Sequence, residues 1–203
     1  MDGTTVEFCV TMGSAAFGNY ADFQRQEDSD DHYKEEINSC SKCHFSGYLF
    51  DFEIEYNEDE KNNIKKLLKR YHDVKVDEVL ECQIAAEIKQ RLKQNADHIA
   101  NCYLIGTYII KGNVKKDKYR KELQNKVRYY LIKAIKNKEY TNQTEIASIN
   151  YLIGEMYRRT GHFRKAKSYY DIAINNPEKS PWVEEMAVIQ KELAMKRNDN
   201  NRI

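Results

Sequence analysis

From residue 57 onward apolar side chains recur every three or four positions, the spacing of one buried helix face. Ile64, Leu67, Leu68 and Tyr71 mark a first helix, with Asn57 as cap and Glu58, Asp59 and Glu60 in the first turn, where the helix dipole favours acids. Val79, Leu80, Ile84, Ala85, Ile88 and Leu92 mark a second from about residue 77. Ile99, Cys102, Tyr103, Gly106, Tyr108 and Ile110 mark a third, and a fourth is predicted over residues 116–138. Residues 1–56 read differently. Gly3, Gly13, Gly18 and Gly47 interrupt an aromatic-rich stretch with short alternating pieces, such as residues 5–10, which predict short strands. A sheet that small needs a metal or a helical surface to hold it.

The most regular pattern is IASINYLIGEMYRRTGHFRKAKSYYDIAINN, residues 146–176, two helical periods around a short turn. Gly154, Tyr157, Gly161, Ala166, Tyr170 and Ala173 occupy the small and large positions of the tetratricopeptide template. Asn142 with Glu145 predicts a capping-box start. Pro177 stops the second helix, and Ser180-Pro181 with Glu184 and Glu185 opens a last one, with Met186, Ile189 and Leu193 as its apolar face and Trp182 packed over the end of the repeat. The endings YYLIKAIKN and YYDIAINN are alike, which makes the third and fourth helices a second, stretched repeat: Gly106 to Ala134 spans 28 residues, Gly154 to Ala173 only 19. The predicted fold class is therefore mostly α, tetratricopeptide-like antiparallel helix pairs with a small N-terminal β, zinc-ribbon-like subdomain. Residues 1–56 form that subdomain, 57–196 the helical domain and 197–203 a frayed polar tail.

Charge sharpens this division. Residues 1–60 carry 3 Lys/Arg against 15 Asp/Glu and residues 61–203 carry 30 against 17, although the whole chain is only +1. Opposite parts of one chain can neutralise each other and leave little field for an outside partner. No run approaches the roughly 20 apolar residues of a membrane span, and the first residues lack the basic start and apolar segment of a secretion signal, so a cytoplasmic location is expected.

Five cysteines without a secretion signal argue for thiols or a metal site rather than disulfides. Cys82 and Cys102 lie in helical apolar patterns and read as core residues. Cys40-Ser-Lys-Cys43, with Gly47 close behind, is half of a zinc ribbon, and Cys9-Val-Thr-Met12-Gly13 stands where the other half belongs. Methionine at the fourth position offers a neutral thioether, a poor zinc ligand. Three readings stay open: a ribbon that keeps its fold without metal, one structural zinc on Cys9, Cys40, Cys43 and a substitute such as His44 or His32, or no ribbon at all.

For function, a helical-repeat scaffold points to a non-catalytic adaptor that holds a protein or peptide, with Tyr151 and Tyr157 as exposed contact residues and Arg158 and Arg159 beside them. A nucleic-acid binder is the alternative: residues 111–138 hold eleven Lys/Arg against two Asp/Glu, and Lys115, Lys116, Lys118, Arg120 and Lys121, with Tyr119, Tyr129 and Tyr130 interleaved, could meet phosphates and bases. A zinc-dependent enzyme is the third class. The chain contains no phosphate-binding glycine loop, nucleophile elbow or His-Glu-x-x-His.

With the Cys-x-x-Cys head, the segment YLIGEMYRRTGHFRKAKSYYDIAINN and the following SPWVEEMAVIQKELA, the chain resembles the bacterial family catalogued as domain of unknown function 2225. Gly154-Glu155, Arg158-Arg159, Gly161 and Pro181-Trp182 carry the likeness, and the family's first Cys-Pro-x-Cys-Gly stands here as Cys9-Val-Thr-Met12-Gly13. The resemblance implies a four-cysteine ribbon joined to tetratricopeptide-type helices, and implies no reaction.

Overall fold

The computed structural model describes residues 6, 16–27, 32–110 and 116–200. Among them are nine α-helices and four short strands, in the order β1 (Ala16–Asn19), β2 (Arg25–Glu27), α1 (His32–Glu36), β3 (Asn38–Ser39), β4 (Ser46–Gly47), α2 (Leu49–Glu53), α3 (Glu58–Leu68), α4 (Glu78–Arg91), α5 (Ala96–Ile110), α6 (Asp117–Lys136), α7 (Gln143–Arg159), α8 (Phe163–Asn175) and α9 (Pro181–Met195). The fold is mostly helical with small β elements near the N-terminus, as the periodicity predicts. The predicted strand over residues 5–10 lies outside the described residues.

The chain groups into two compact units. Among the described residues one comprises 6, 27, 32–110 and 116–120, and the other comprises 16–26 with 121–200. The boundary between them runs within α6.

In the first unit, Asn57 accepts a hydrogen bond from Glu60 N while the Glu60 carboxylate accepts one from Asn57 N, both at 2.9 Å, so α3 begins in a complete capping box. Ile64, Leu67, Leu68 and Tyr71 bury with Ile84 and Ile88 of α4 around Cys40, Phe45 and Tyr56. Strands β3 and β4 pair antiparallel, Asn38 opposite Gly47 and Ser39 opposite Ser46. A buried ion pair ties α2 to α4: Lys89 Nζ donates to both Asp51 oxygens at 2.7 Å, with the Tyr48 and Phe50 rings 5.2 and 5.4 Å from the ammonium. Asp51 also accepts from Tyr48 N at 2.9 Å, and Gly47 leaves room for it, since a Cβ there would stand 2.7 Å from Asp51 Cβ.

One expectation is corrected in this unit. Helix α5 packs chiefly on α4, so the helix pair preceding α7 and α8 is α4 with α5 and not the stretched repeat of the third and fourth helices. The short α4–α5 connection makes them antiparallel neighbours, whereas six residues separate α5 from α6.

In the second unit α7 and α8 are joined by residues 160–162 and pack along their length, and α9 lies on α8. The α7–α8 turn is a Schellman motif: His162 N donates to Tyr157 O at 2.8 Å and Gly161 N to Arg158 O at 2.9 Å, with Gly161 at φ +79°. Ser180 caps α9 by accepting from Val183 N at 3.2 Å, and Pro181 takes the first helical position. The predicted buried face of α9 is corrected. Val183, Ala187, Gln190 and Ala194 are buried, while Ile189 is 39% exposed. Small alanines let α9 approach its neighbours closely, and periodicity weighted toward large residues selects the wrong side.

Candidate functional site

The densest chemistry of the second unit is a buried charge cluster on α7. Glu155, Arg158 and Arg159 stand at i, i+3 and i+4, so one helical turn brings both guanidiniums to one carboxylate. Glu155 Oε1 accepts from Arg158 Nε at 2.9 Å and from the Tyr170 hydroxyl of α8 at 2.5 Å. Its Oε2 accepts from Arg158 Nη2 at 3.0 Å and Arg159 Nε at 2.9 Å. All three charged residues are at most 2% exposed. Burial pushes the Glu155 carboxyl upward, but Arg159 and Arg158 together outweigh it and hold its pKa below the ordinary value. For both arginines burial acts downward and their acidic partners more than offset it, Asp22 and Glu155 for Arg159 and Glu155 for Arg158.

Two further segments complete the cluster. Arg158 Nη1 donates to Asn198 O at 2.9 Å and Asn200 O at 3.0 Å, so the tail is held as far as residue 200, where its composition predicts fraying. Arg159 Nη1 donates to the Asp22 carboxylate at the tip of the β1–β2 hairpin. In that tip Phe23 N donates to Tyr20 O at 3.0 Å and Tyr20 N to Gln24 O at 2.7 Å. The Tyr151 hydroxyl donates to Ala21 O. Phe23 meets the Tyr151 ring edge-on at 5.4 Å and the Trp182 ring at 4.9 Å, and Trp182 lies 5.6 Å from Tyr151.

Tyr151 is fully buried and Tyr157 is 7% exposed, which corrects their expected exposure. Tyr157 is enclosed by Arg128 of α6, 4.2 Å from its ring centroid, and by the stacked Tyr169 at 5.4 Å. Helix α7 is buried on nearly every side from Asn150 to Arg159, so it has no solvent-facing stripe there. Arg158 and Arg159 make ion pairs rather than a positive surface. Of the basic stretch, Lys115 lies outside the described residues. Lys116 pairs with Asp77 at 3.1 Å, Arg120 with Asp117 and Lys121 with Asp199 at 3.5 Å, while Lys118 is exposed.

Cys40 and Cys43 lie on a tight turn in which His44 N donates to Cys40 O at 2.9 Å and Cys40 N to Phe45 O at 2.9 Å. The left-handed position is His44, φ +58°, and not a glycine; Gly47 serves β4 and Asp51 instead. Cys9 and Met12 lie outside the described residues. His32 faces Glu36 at 3.4 Å, and no group of three or more metal-ligating side chains comes together among the described residues. Cys40 and Cys43 supply two thiols of the four that a ribbon requires, and the thioether of Met12 does not replace a thiolate. Cys82 and Cys102 are buried core thiols whose pKa burial raises, that of Cys102 to about 12, which leaves them inert.

The sequence gives no sign of Asp22 or Phe23 as site residues, and it marks Glu155 only through the family likeness and Tyr170 only as a repeat position. The E-x-x-R-R spacing on a predicted helix could have revealed Glu155. Nothing local connects Asp22 to Arg159 across 137 positions.

Residues 23–194 match the family described as an uncharacterized protein conserved in bacteria (DUF2225). The chain belongs to this family. The matched region begins at Phe23, so Cys9 and Met12 fall before it, and it contains the whole of the Glu155 cluster except Asp22 and the tail carbonyls. No curated protein and no solved structure matches the chain. No helix among the described residues is long and apolar enough to cross a membrane.

Proposed function

We propose that the protein is a non-catalytic scaffold of tetratricopeptide type, which holds a protein or peptide partner on its α7–α9 unit. The observation that supports this reading best is the way α7 and α9 receive the tip of the β1–β2 hairpin. They do so through one ion pair to Arg159, one main-chain hydrogen bond from Tyr151 and one aromatic contact shared by Tyr151 and Trp182. Aromatic and arginine side chains in well-packed, desolvated pockets are the usual anchors of a recognition site, and main-chain hydrogen bonds add affinity that does not depend on the partner's side chains. The buried acids of this unit are consumed in ion pairs and Tyr170 bonds to Glu155, an arrangement suited to rigidity. A nucleic-acid role draws less support, because Lys116, Arg120 and Lys121 are engaged by acids of the same chain.

The test is affinity capture from native bacterial extract on the immobilised full-length chain, with quantitative mass spectrometry. The expected result is a stoichiometric protein partner that reconstitutes binding when purified. Return of nothing above background at low and physiological salt, or of nucleic acid alone, overturns the reading.

A further inference from the structure

The α7 cluster does not balance its own charge. Glu155 faces two arginines, all three buried, so the helix by itself carries one uncompensated cation in a low-dielectric setting. The acid that neutralises it, Asp22, comes from a hairpin of four and three residues, a size that is not stable in isolation. The hairpin owes its placement to what its tip touches.

That contact is incomplete. Arg159 gives Nε to Glu155 and Nη1 to Asp22, but its buried Nη2 has no hydrogen-bond partner among the described residues. A carboxylate engaging the guanidinium end-on, one oxygen on each terminal nitrogen, would satisfy both Nη1 and Nη2. The tip is also strained. Phe23 follows a turn at the left-handed position of a three-residue hairpin loop, φ +65°, where glycine is the usual residue and a bulky side chain is disfavoured. That conformation persists because its ring sits against Tyr151 and Trp182.

Resting on the scaffold reading above, we infer that Ala21-Asp22-Phe23 is a built-in occupant of a recognition site formed by Tyr151, Arg159 and Trp182. The external partner presents the same chemistry, a turn bearing an acid followed by an aromatic residue, and takes the hairpin's place. The tethered tip competes at an effective concentration of order millimolar, so an outside ligand binds the intact chain more weakly than it binds a chain whose own tip is disabled.

The experiment uses the full-length chain, the double variant Asp22→Ala/Phe23→Ala and a synthetic peptide of residues 18–26, with Trp182 as the single tryptophan probe. In the double variant Trp182 emission is expected to shift red and acrylamide quenching to rise, and the peptide is expected to reverse both. Peptide affinity for the variant should exceed that for the natural chain by about 10-fold or more. A peptide carrying alanine at both positions should not bind. Unchanged Trp182 emission with no peptide binding to a folded variant overturns the inference. Should the variant fail to fold, hydrogen exchange of the natural chain decides: Tyr20 and Phe23 amides are expected to exchange through local opening, far faster than the core amides of α7. Exchange only with global unfolding makes the hairpin an integral part of the core and overturns the proposal. Peptide binding to the variant with no partner in extract would sink the scaffold reading alone. A reconstituted partner that binds both chains equally, with no peptide binding, would sink this inference alone.

Discussion

Gly154 and Tyr170 are a fitted pair: a Cβ at position 154 would stand 2.6 Å from the Tyr170 ring, a separation real side chains do not reach. The ring cannot retreat. It is fully buried, and its hydroxyl is anchored on Glu155 at 2.5 Å.

Gly154→Ala is therefore expected to destabilise the protein, although alanine is the better helix former by about 1 kcal/mol. Overpacking a rigid core costs about 1–3 kcal/mol, and displacing the hydroxyl adds the loss of a charge-assisted hydrogen bond of about 1.5–3 kcal/mol. Urea unfolding checks this. A midpoint equal to or above that of the natural chain would show that α7 and α8 can separate without penalty.

Glu155 links stability to acid. Its folded pKa lies below the ordinary 4.5, so the unfolded chain binds a proton more readily than the folded one. Its contribution is complete above about pH 4.5 and is lost as pH falls through the depressed folded value. Glu155→Gln should lower stability at pH 7 by about 3–5 kcal/mol, because buried Arg158 then has no acidic partner and Arg159 keeps only Asp22, and should flatten the slope below pH 4.5. Urea midpoints at pH 3, 4, 5 and 7 for both chains measure the effect. Parallel profiles would remove Glu155 from the linkage.

Among the described residues, three helices end in Schellman turns with a long cation where glycine is usual. Lys93, Lys138 and Arg197 have φ of +55°, +59° and +55°, with Gln94 N to Lys89 O, Glu139 N to Ala134 O and Asn198 N to Leu193 O closing the motifs at 2.9–3.0 Å. Lys93 and Lys138 are exposed. Lys93→Gly and Lys138→Gly are each expected to stabilise by about 0.5–1 kcal/mol, which raises the thermal midpoint by about 1–4 °C per site. A fall in the midpoint would mean that the basic side chains contribute more at the helix C-terminus than the backbone strain costs.

Local rules determined much of this protein. The apolar spacing located every helix from α3 to α9, Asn57 and Ser180 announced their caps, Gly161 announced the turn after α7, and the C-terminal motif pointed to the family. Each of these depends on residues a few positions apart, whose geometry the backbone nearly dictates. Tertiary structure decided the rest. It gave α5 its partner in α4, turned the alanine side of α9 inward, enclosed Tyr151 and Tyr157, and joined Arg159 to an acid 137 positions away. Those outcomes follow from the packing of whole elements and from the need to neutralise a charge once it is buried. No pattern within a single helix encodes which distant segment will do so.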